Sequence, residues 1–261
     1  MNPAVPTWAG VVASAALVVL TIAVAWRGRL HLARDIAVAG VRAALQLAAV
    51  GAVLLLVFRH TGLAGAAGWL AMMVLIGGRV AARRATGLPH VLLAATAALA
   101  VGTAATVGSL LALGVIATQA RVVIPVGGMV VSGAMQATAL VLIRLREEAR
   151  TARPAIEARL ALSAAGAFAP HMRLTLRTAL IPAIDSTKTV GLISLPGAMT
   201  GLILAGVDPL TAIRYQIVVM YMLLAAAALA ALTAARLTER ALFDDAHRLR
   251  PLTVEPREAR R

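Results

Sequence analysis

The sequence contains no cysteine among its 261 residues. This absence excludes disulfides, zinc–thiolate sites, iron–sulfur clusters and thiol catalysis together. Aromatic residues make up only 3% of the chain, which leaves few stacking surfaces for the bases of a nucleic acid. Lysine occurs once, as Lys188, so arginine carries nearly all of the positive charge.

Recognisable catalytic motifs are also absent. The chain has no G-x-x-x-x-G-K-[ST] phosphate loop, no G-x-S-x-G and no H-E-x-x-H, and no two histidines stand four residues apart. No carboxylate lies near the middle of an apolar segment, whereas proton-coupled transporters usually carry an ionisable group there. These absences disfavour an ATP-hydrolysing enzyme, a metalloenzyme and a secondary transporter.

Apolar residues are abundant and acidic ones are scarce. The apolar set makes up 61% of the chain, the formal net charge is +14 and the mean hydropathy is +0.87. A soluble protein would need more polar residues to cover so much apolar surface, and a disordered chain would contain far fewer apolar ones. The composition therefore predicts a polytopic membrane protein with basic loops.

Seven segments are long and apolar enough to cross a bilayer as helices, since a core about 30 Å thick needs roughly 20 helical residues. The sequence therefore predicts an all-α polytopic membrane protein, with one transmembrane domain over residues 1–240 and a basic cytoplasmic tail over 241–261. The predicted spans are 8–26, 36–58, 62–78, 91–117, 122–143, 188–206 and 214–235.

The basic residues predict the orientation of the chain. Most of them follow the first, third, fifth and seventh spans, and cytoplasmic loops carry such an excess of arginine and lysine. We therefore expect the N-terminus outside and the C-terminus in the cytoplasm.

The longest segment between predicted spans, 144–187, falls on the cytoplasmic side. Residues 146–150 continue the fifth span as a charged helix, and Pro154 suits the first turn of a second helix. A third helix is predicted after Pro170, with Met172, Leu176 and Leu180 on one face. Two interpretations remain open, an interfacial helix on anionic lipid and a docking site for a cytoplasmic partner.

Arg42 and Gln46 in the second span lie one helical turn apart and face the same way. A charge inside the membrane must be paired or hydrated. Arg42 lies about six residues from the cytoplasmic end, roughly 9 Å along the helix, and can extend to the interface. The alternative is that both side chains face a cavity.

The fifth span contains two pairs of small residues spaced by four, Gly128 with Ser132 and Ala134 with Thr138. Such faces allow helices to pack closely in lipid. Packing alone explains the pattern, and the alternative is a polar path with adaptable thioether walls. The candidates for that path are Met129, Ser132, Met135 and Gln136.

The sixth span is interrupted by Pro196 and Gly197, and Asp185 or Ser186 is expected to cap its start. A proline in mid-membrane frees a backbone carbonyl, which is tolerated only beside protein or a wet cavity. Broken helices of this kind often border substrate sites, although a purely structural kink is the alternative. The candidates for a path or gate are Ser194, Pro196, Gly197, Met199 and Thr200.

From about Arg42 to Leu242 the chain resembles the FetB-like permeases, the membrane subunits of ATP-binding-cassette exporters implicated in iron export, whose plant relatives are linked to aluminium tolerance. The resemblance is most specific in three stretches, ALIPAIDSTKTVGLISLPG at 179–197, LAGV at 204–207 and IRYQIVVM at 213–220. Arg42-x-x-x-Gln46-Leu47 and the Gly128-Met129 and Ala134-Met135 pairs also look like the family.

The resemblance implies a transport subunit rather than an enzyme, which moves iron, another metal or a metal complex across the inner or plasma membrane of a bacterium. It implies a separate cytoplasmic ATPase that binds ATP and Mg²⁺, a homodimer of the permease surrounded by lipid, no cofactor bound by this chain and no nucleic-acid partner. The residues that would bind a metal are not identified.

The resemblance also implies that 144–187 is the coupling region that docks on the ATPase. Glu157-Ala158 looks like the start of an E-A-A-x-x-x-G coupling loop, with Ser163 at the position of the glycine. The coupling candidates are Arg153, Glu157, Ala158, Arg159, Ser163, Arg173, Arg177, Asp185 and Lys188.

Four residues depart from the family pattern along the predicted path. The family usually has Gly-Asn at Ser132-Gly133, Asn at Gln136 and Gln at Leu202. Two other classes of function stay open from the sequence, a stand-alone secondary transporter or channel and a membrane scaffold that transports nothing.

Overall fold

The computed structural model describes residues 8–29, 32–60, 62–162, 168–244, 248–250 and 252, without the side chains of residue 8 and of 52–60. Every regular element in these ranges is helical. The helices are α1 (Trp8–Arg27), α2 (Ala33–His60), α3 (Leu63–Arg83), α4 (Val91–Ala112), α5 (Ala120–Thr151), α6 (Arg153–Ala161), α7 (Ala169–Thr189), α8 (Gly197–Leu204) and α9 (Pro209–Leu242). The predicted all-helical class is confirmed.

Five helices within the described residues are long and apolar enough to cross a membrane, namely α1 (from Ala9), α3, α4, α5 and α9. They correspond to the first, third, fourth, fifth and seventh predicted spans. The second span lies within α2, which is 28 residues long, and its crossing of the membrane stays a prediction.

The C-terminal end of α4 shows how local backbone conformation sets the boundary of a helix. The predicted span ran to residue 117, but α4 ends at Ala112 because Gly114 adopts a left-handed conformation with φ 67°. The N–H of Gly114 donates to Leu111 O and that of Val115 to Leu110 O, which is the Schellman pattern of a terminated helix. Glycine takes this conformation without a steric penalty.

The prediction of a helix over 188–206 is wrong as a continuous element. Helix α7 ends at Thr189, residues 190–196 are not helical, and α8 is only eight residues long. Gly191 has φ 81°, and Pro196 has an extended backbone at the N-cap of α8, where its missing N–H leaves no helical bond unmade. The predicted break at Pro196–Gly197 is therefore confirmed, but it begins seven residues earlier.

The chain divides into two compact units, 1–61 and 62–261. In the first unit α1 packs against α2, and Gly40 permits the contact because a Cβ there would lie 3.3 Å from Val18 Cγ1. The second unit contains α3 to α9. Helices α3, α5 and α9 run in one direction, and α4 and α7 run against them.

The larger core of the second unit lies where α3, α5 and α9 end and α4 begins. We call this part of the unit the charged end. Its basic residues belong to the stretches 79–84, 144–159 and 236–240. Large side chains pack together in this core, and the fully buried ones include Leu142, Leu145, Ile156, Phe168 and Leu242.

Elsewhere in the second unit small residues bring the helices close together. A Cβ at Gly78 would lie 2.9 Å from the Cα of Thr96, so α3 and α4 meet backbone to backbone at this point. Ala226 and Ala230 are fully buried on α9. Association in lipid depends on such close packing, since apolar burial gains little in an apolar solvent.

Candidate functional site

A cavity of about 260 Å³ lies between α5, α7 and α9 in the second unit. It is level with the middle of α5, about twelve residues or 18 Å from the residues that end that helix at the charged end. Its lining is Gly133, Gln136, Ala137, Leu140, Ala179, Pro182, Ala183, Ser186, Thr187, Met220, Leu223, Leu224 and Ala227.

Small residues create this space. Gly133, Ala137, Ala183 and Ala227 place little side-chain volume between the three helices. A Cβ at Gly133 would make only an ordinary van der Waals contact, 3.6 Å from Leu223 Cδ2, so Gly133 is not in tight contact with α9. The α7 side of the cavity is one helical stripe, because its residues recur at intervals of three and four from Ala179 to Thr187.

The polar groups of the cavity are one amide and two hydroxyls. Ser186 Oγ donates to the carbonyl of Ala183 at 2.9 Å, and Thr187 Oγ1 donates to the same carbonyl at 2.8 Å. Both hydroxyl oxygens therefore keep lone pairs that can accept hydrogen bonds. The Gln136 side chain makes no hydrogen bond within the described part of the chain, and it offers two donors and an acceptor.

Of the four path candidates on α5, only Gln136 lines the cavity. Met135 packs against the buried core instead, Met129 is half-buried and Ser132 is exposed. The two small-residue pairs also differ. Ala134 and Thr138 are fully buried in a helix contact, whereas Gly128 and Ser132 are not.

The candidates around the break do not line the cavity. Ser194 lies in the non-helical segment, where its carbonyl accepts from Gly191 N–H at 2.9 Å. Pro196 and Gly197 begin α8, and the Thr200 hydroxyl approaches the carbonyls of both, at 3.3 and 3.1 Å. Met199 is half-buried. Pro196 is the N-cap of this short helix, which has no side-chain capping bond, and the part of all five residues in a path stays a prediction.

Arg42 and Gln46 belong to the first unit, and both are exposed on α2. They lie one turn apart on the same helix, as their spacing predicts. No hydrogen bond or ion pair joins either side chain to another residue within the described ranges.

At the charged end, α6 is anchored on one side and charged on the other. Ile156 is fully buried in the core. Arg153 Nε donates to Glu157 Oε1 at 2.7 Å on the outer side, and Ala158 and Arg159 are exposed beside them. Ser163 lies outside the described residues. The predicted start of this helix at Pro154 is confirmed.

Helix α7 connects the charged end to the cavity. In its first half, His171 Nδ1 lies 2.8 Å from Glu148 Oε2 on α5, and Thr175 and Ala179 are buried. Met172, Leu176 and Leu180 pack on the core, as predicted. The structure thus divides the segment 144–187, because residues 179–187 lie beside the middle of α5 rather than with α6.

The coupling candidates on α7 are consequently separated. Arg173 and Arg177 are exposed in the half near the charged end. Asp185 and Lys188 are exposed near the other end of the helix, about 18 Å beyond Arg173 at 1.5 Å per residue. Neither Asp185 nor Ser186 caps a helix start, since both lie in the final turns of α7.

Ser186 and Thr187 are the polar residues of the cavity that the sequence analysis did not select as path candidates. Their spacing from Ala179 and Ala183 was visible, but residues up to 187 were assigned to the cytoplasmic segment and Ser186 to the cap of the sixth span. The helical spacing places these hydroxyls on the same face as Ala179 and Ala183 only if α7 is known to continue to Thr189. Among the described residues no group of three His, Cys, Asp or Glu side chains comes together to hold a metal ion.

Comparison with known proteins gives a consistent family. The sequence profile described as "Uncharacterised protein family (UPF0014)" matches residues 8–243. The chain is 40% identical to "UPF0014 membrane protein STAR2" of Oryza sativa subsp. japonica, over 91% of this chain and 84% of that protein.

Two further relatives cover similar lengths. The chain is 36% identical to "Protein ALUMINUM SENSITIVE 3" of Arabidopsis thaliana, over 90% of this chain and 88% of the relative. It is 37% identical to "Probable iron export permease protein FetB" of Escherichia coli (strain K12), over 89% and 91%. No solved structure matches the chain. The chain is a membrane protein of the UPF0014 family, whose profile it matches over nearly its whole length.

Proposed function

We propose that this chain is the permease subunit of an ATP-binding-cassette exporter in the inner or plasma membrane of a bacterium, with a metal or a metal complex as cargo. The observation that carries the proposal is the similarity to a protein named as a probable iron export permease, which extends over 89% of this chain. Two copies of the permease work with a separate ATPase that binds ATP and Mg²⁺.

The charged end supports the coupling part of the proposal. Helix α6 carries exposed Arg153, Glu157 and Arg159, while Ile156 fixes it in the core. A force applied to the outer face is therefore transmitted to packed side chains rather than absorbed by a loose loop. A shallow groove of about 190 Å³ on the last turns of α5, lined by Ile143, Arg146, Glu147 and Arg150, adds further charge for a soluble partner.

The cavity supports the transport part. It lies in mid-helix and has a few polar groups on an otherwise apolar wall, which is the usual construction of a small-molecule site. Helix α7 contacts α5 at both levels, so movement of the charged end reaches the cavity through one rigid element.

The test is reconstitution with the cassette ATPase encoded beside the gene. We expect the two proteins to copurify and to drive ATP-dependent iron export from liposomes, with metal measured by mass spectrometry. The charge-reversed pair Glu157→Lys with Arg159→Glu should reduce the stimulated ATPase rate about tenfold, because opposed charges at an interface are unfavourable.

Arg121→Glu is the matched control, because Arg121 is exposed at the opposite end of α5. Its ATPase rate should stay within about twofold of the parent, since surface changes away from an interface have small effects. Full metal flux in liposomes that contain no ATPase would contradict the proposal and favour a secondary transporter or channel.

A further inference from the structure

The cavity between α5, α7 and α9 is electrically neutral. Its polar lining is the Gln136 amide and the hydroxyls of Ser186 and Thr187, and the rest is aliphatic apart from the thioether of Met220. No Asp, Glu, His, Lys or Arg lines it. Asp185 and Lys188 are neighbours on α7, but neither contributes to the wall.

A bare multivalent cation is poorly matched to such a wall. Hard cations take six or more oxygen ligands, and proteins supply carboxylates for several of them. Here the amide oxygen and two hydroxyl oxygens are the side-chain oxygens available. The pocket is open on one side, since Gln136 and Ser186 are exposed, so an ion would lose water only toward the apolar wall, which offers it no charge in return.

The polar groups suit a ligand shell that itself forms hydrogen bonds. Both hydroxyls already donate to the Ala183 carbonyl, so they are free to accept. Gln136 can donate two bonds and accept others. Such groups recognise the N–H and oxygen atoms at the outside of a complex without displacing any ligand from its metal.

The volume agrees with this interpretation. A space of about 260 Å³ is several times the volume of a single water, which occupies about 30 Å³ in the liquid. It is far larger than a bare ion requires, and it accommodates a metal with a compact shell of organic ligands.

We propose that the cavity binds its cargo as a neutral complex in which the metal keeps its own ligands, and that Gln136, Ser186 and Thr187 recognise this outer shell. The inference rests on the proposed function for the claim that the cargo contains a metal. It adds the chemical class of the cargo and the residues that recognise it.

Substitution-inert cobalt(III) complexes provide the test, because they cannot exchange ligands for protein groups. The full chain in lipid nanodiscs is dialysed to equilibrium against tris(glycinato)cobalt(III), which is neutral and presents both N–H groups and carboxylate oxygens. Bound cobalt is measured by mass spectrometry. Competitors are hexaamminecobalt(III), an inert trication, and Mn²⁺, a labile dication.

We expect saturable binding of the neutral complex and no competition from either cation. Gln136→Leu should weaken binding about tenfold, which is the loss expected for a hydrogen bond of about 1.4 kcal/mol. Gln119→Leu is the matched control, because Gln119 is exposed at the N-cap of α5 and its side chain makes no capping bond.

A second pair tests the hydroxyls. Thr187→Val should also weaken binding, whereas Thr233→Val should not, although each hydroxyl donates to the carbonyl four residues earlier. The unfolding temperature of each variant is measured in the same nanodiscs. This comparison separates loss of a contact from loss of fold.

Three results would each overturn the inference. They are competition by either cation, absence of binding by the neutral complex, and binding by the Gln136→Leu and Thr187→Val variants that equals binding by the parent. These outcomes are distinct from failure of the proposed function, because dialysis requires neither an ATPase nor transport. Gln136-dependent binding without ATP-driven export would support the cavity assignment and contradict the exporter.

Discussion

The charged end and the cavity of the second unit are built in opposite ways, although α5, α7 and α9 contribute to both. At the charged end, side chains as large as Leu145 and Phe168 are fully buried, and His171 of α7 is paired with Glu148 of α5. At the cavity, glycine and alanine leave a space between the same helices. The filled charged end is therefore expected to be rigid, whereas the cavity has room for a ligand.

Leucine-to-alanine changes at the two levels should give the largest contrast in stability. Leu145→Ala is expected to lower the free energy of unfolding by about 2–5 kcal/mol, because it opens a void in a filled core. Leu223→Ala, on the cavity wall, should cost less than about 2 kcal/mol, since the space beside it is already open. Denaturant titration in detergent measures both, and equal losses would contradict the comparison.

Alanine-to-leucine changes test the same contrast from the other direction. Ala234 is fully buried in the core at the charged end, so Ala234→Leu would overpack this core and should destabilise the fold by about 1–3 kcal/mol. Ala183→Leu fills the cavity and should change stability by less than about 0.5 kcal/mol.

The two alanine variants should diverge in transport as well. Ala183→Leu is expected to reduce ATP-driven metal export about tenfold at nearly normal stability, a loss of about 1.4 kcal/mol in cargo binding. If Ala183→Leu exported metal at the parental rate, the cavity would not be on the path.

The smallest effect concerns the hydrogen-bonding contact between His171 of α7 and Glu148 of α5. Glu148→Gln should lower the free energy of unfolding by about 1 kcal/mol, because both side chains are under one-third exposed, at 28% for Glu148 and 19% for His171. Glu147→Gln is its neighbour and control. Glu147 pairs with Arg144 at 3.2 Å but is 55% exposed, so its change should stay below about 0.5 kcal/mol.

Thermal unfolding in detergent measures the two glutamate variants side by side. A larger loss for Glu147→Gln than for Glu148→Gln would show that the link between α5 and α7 does not hold the charged end together.

Much of the fold was predictable because apolar length and proline position act locally. The helix beginning at Pro154, the face formed by Met172, Leu176 and Leu180, and the break at Pro196 all follow from rules that involve a few neighbouring residues. The sixth span was misplaced because hydropathy alone does not detect the left-handed Gly191, which separates α7 from α8.

The site was less predictable than the fold. Gln136 was selected because a polar side chain in an apolar helix is conspicuous. Ser186 and Thr187 were not selected, since Ser186 was interpreted as a helix cap and both lie in the segment that was assigned to the cytoplasm. Ser132 looked equivalent to Gln136 in sequence, and both are exposed, yet only Gln136 lines the cavity. A helix of 3.6 residues per turn places residues four apart on similar faces, and only the neighbouring helices distinguish them.

The sequence by itself determined that this is an all-helical membrane protein, because hydropathy and composition are sums over residues and do not depend on which helix packs on which. The tertiary structure alone decided that α7 reaches from the charged end to the middle of α5, and that small residues on α5, α7 and α9 leave an open, neutral cavity between these helices. A cavity is the space that neighbouring elements leave unfilled, so its position and lining depend on long-range packing that no single segment encodes.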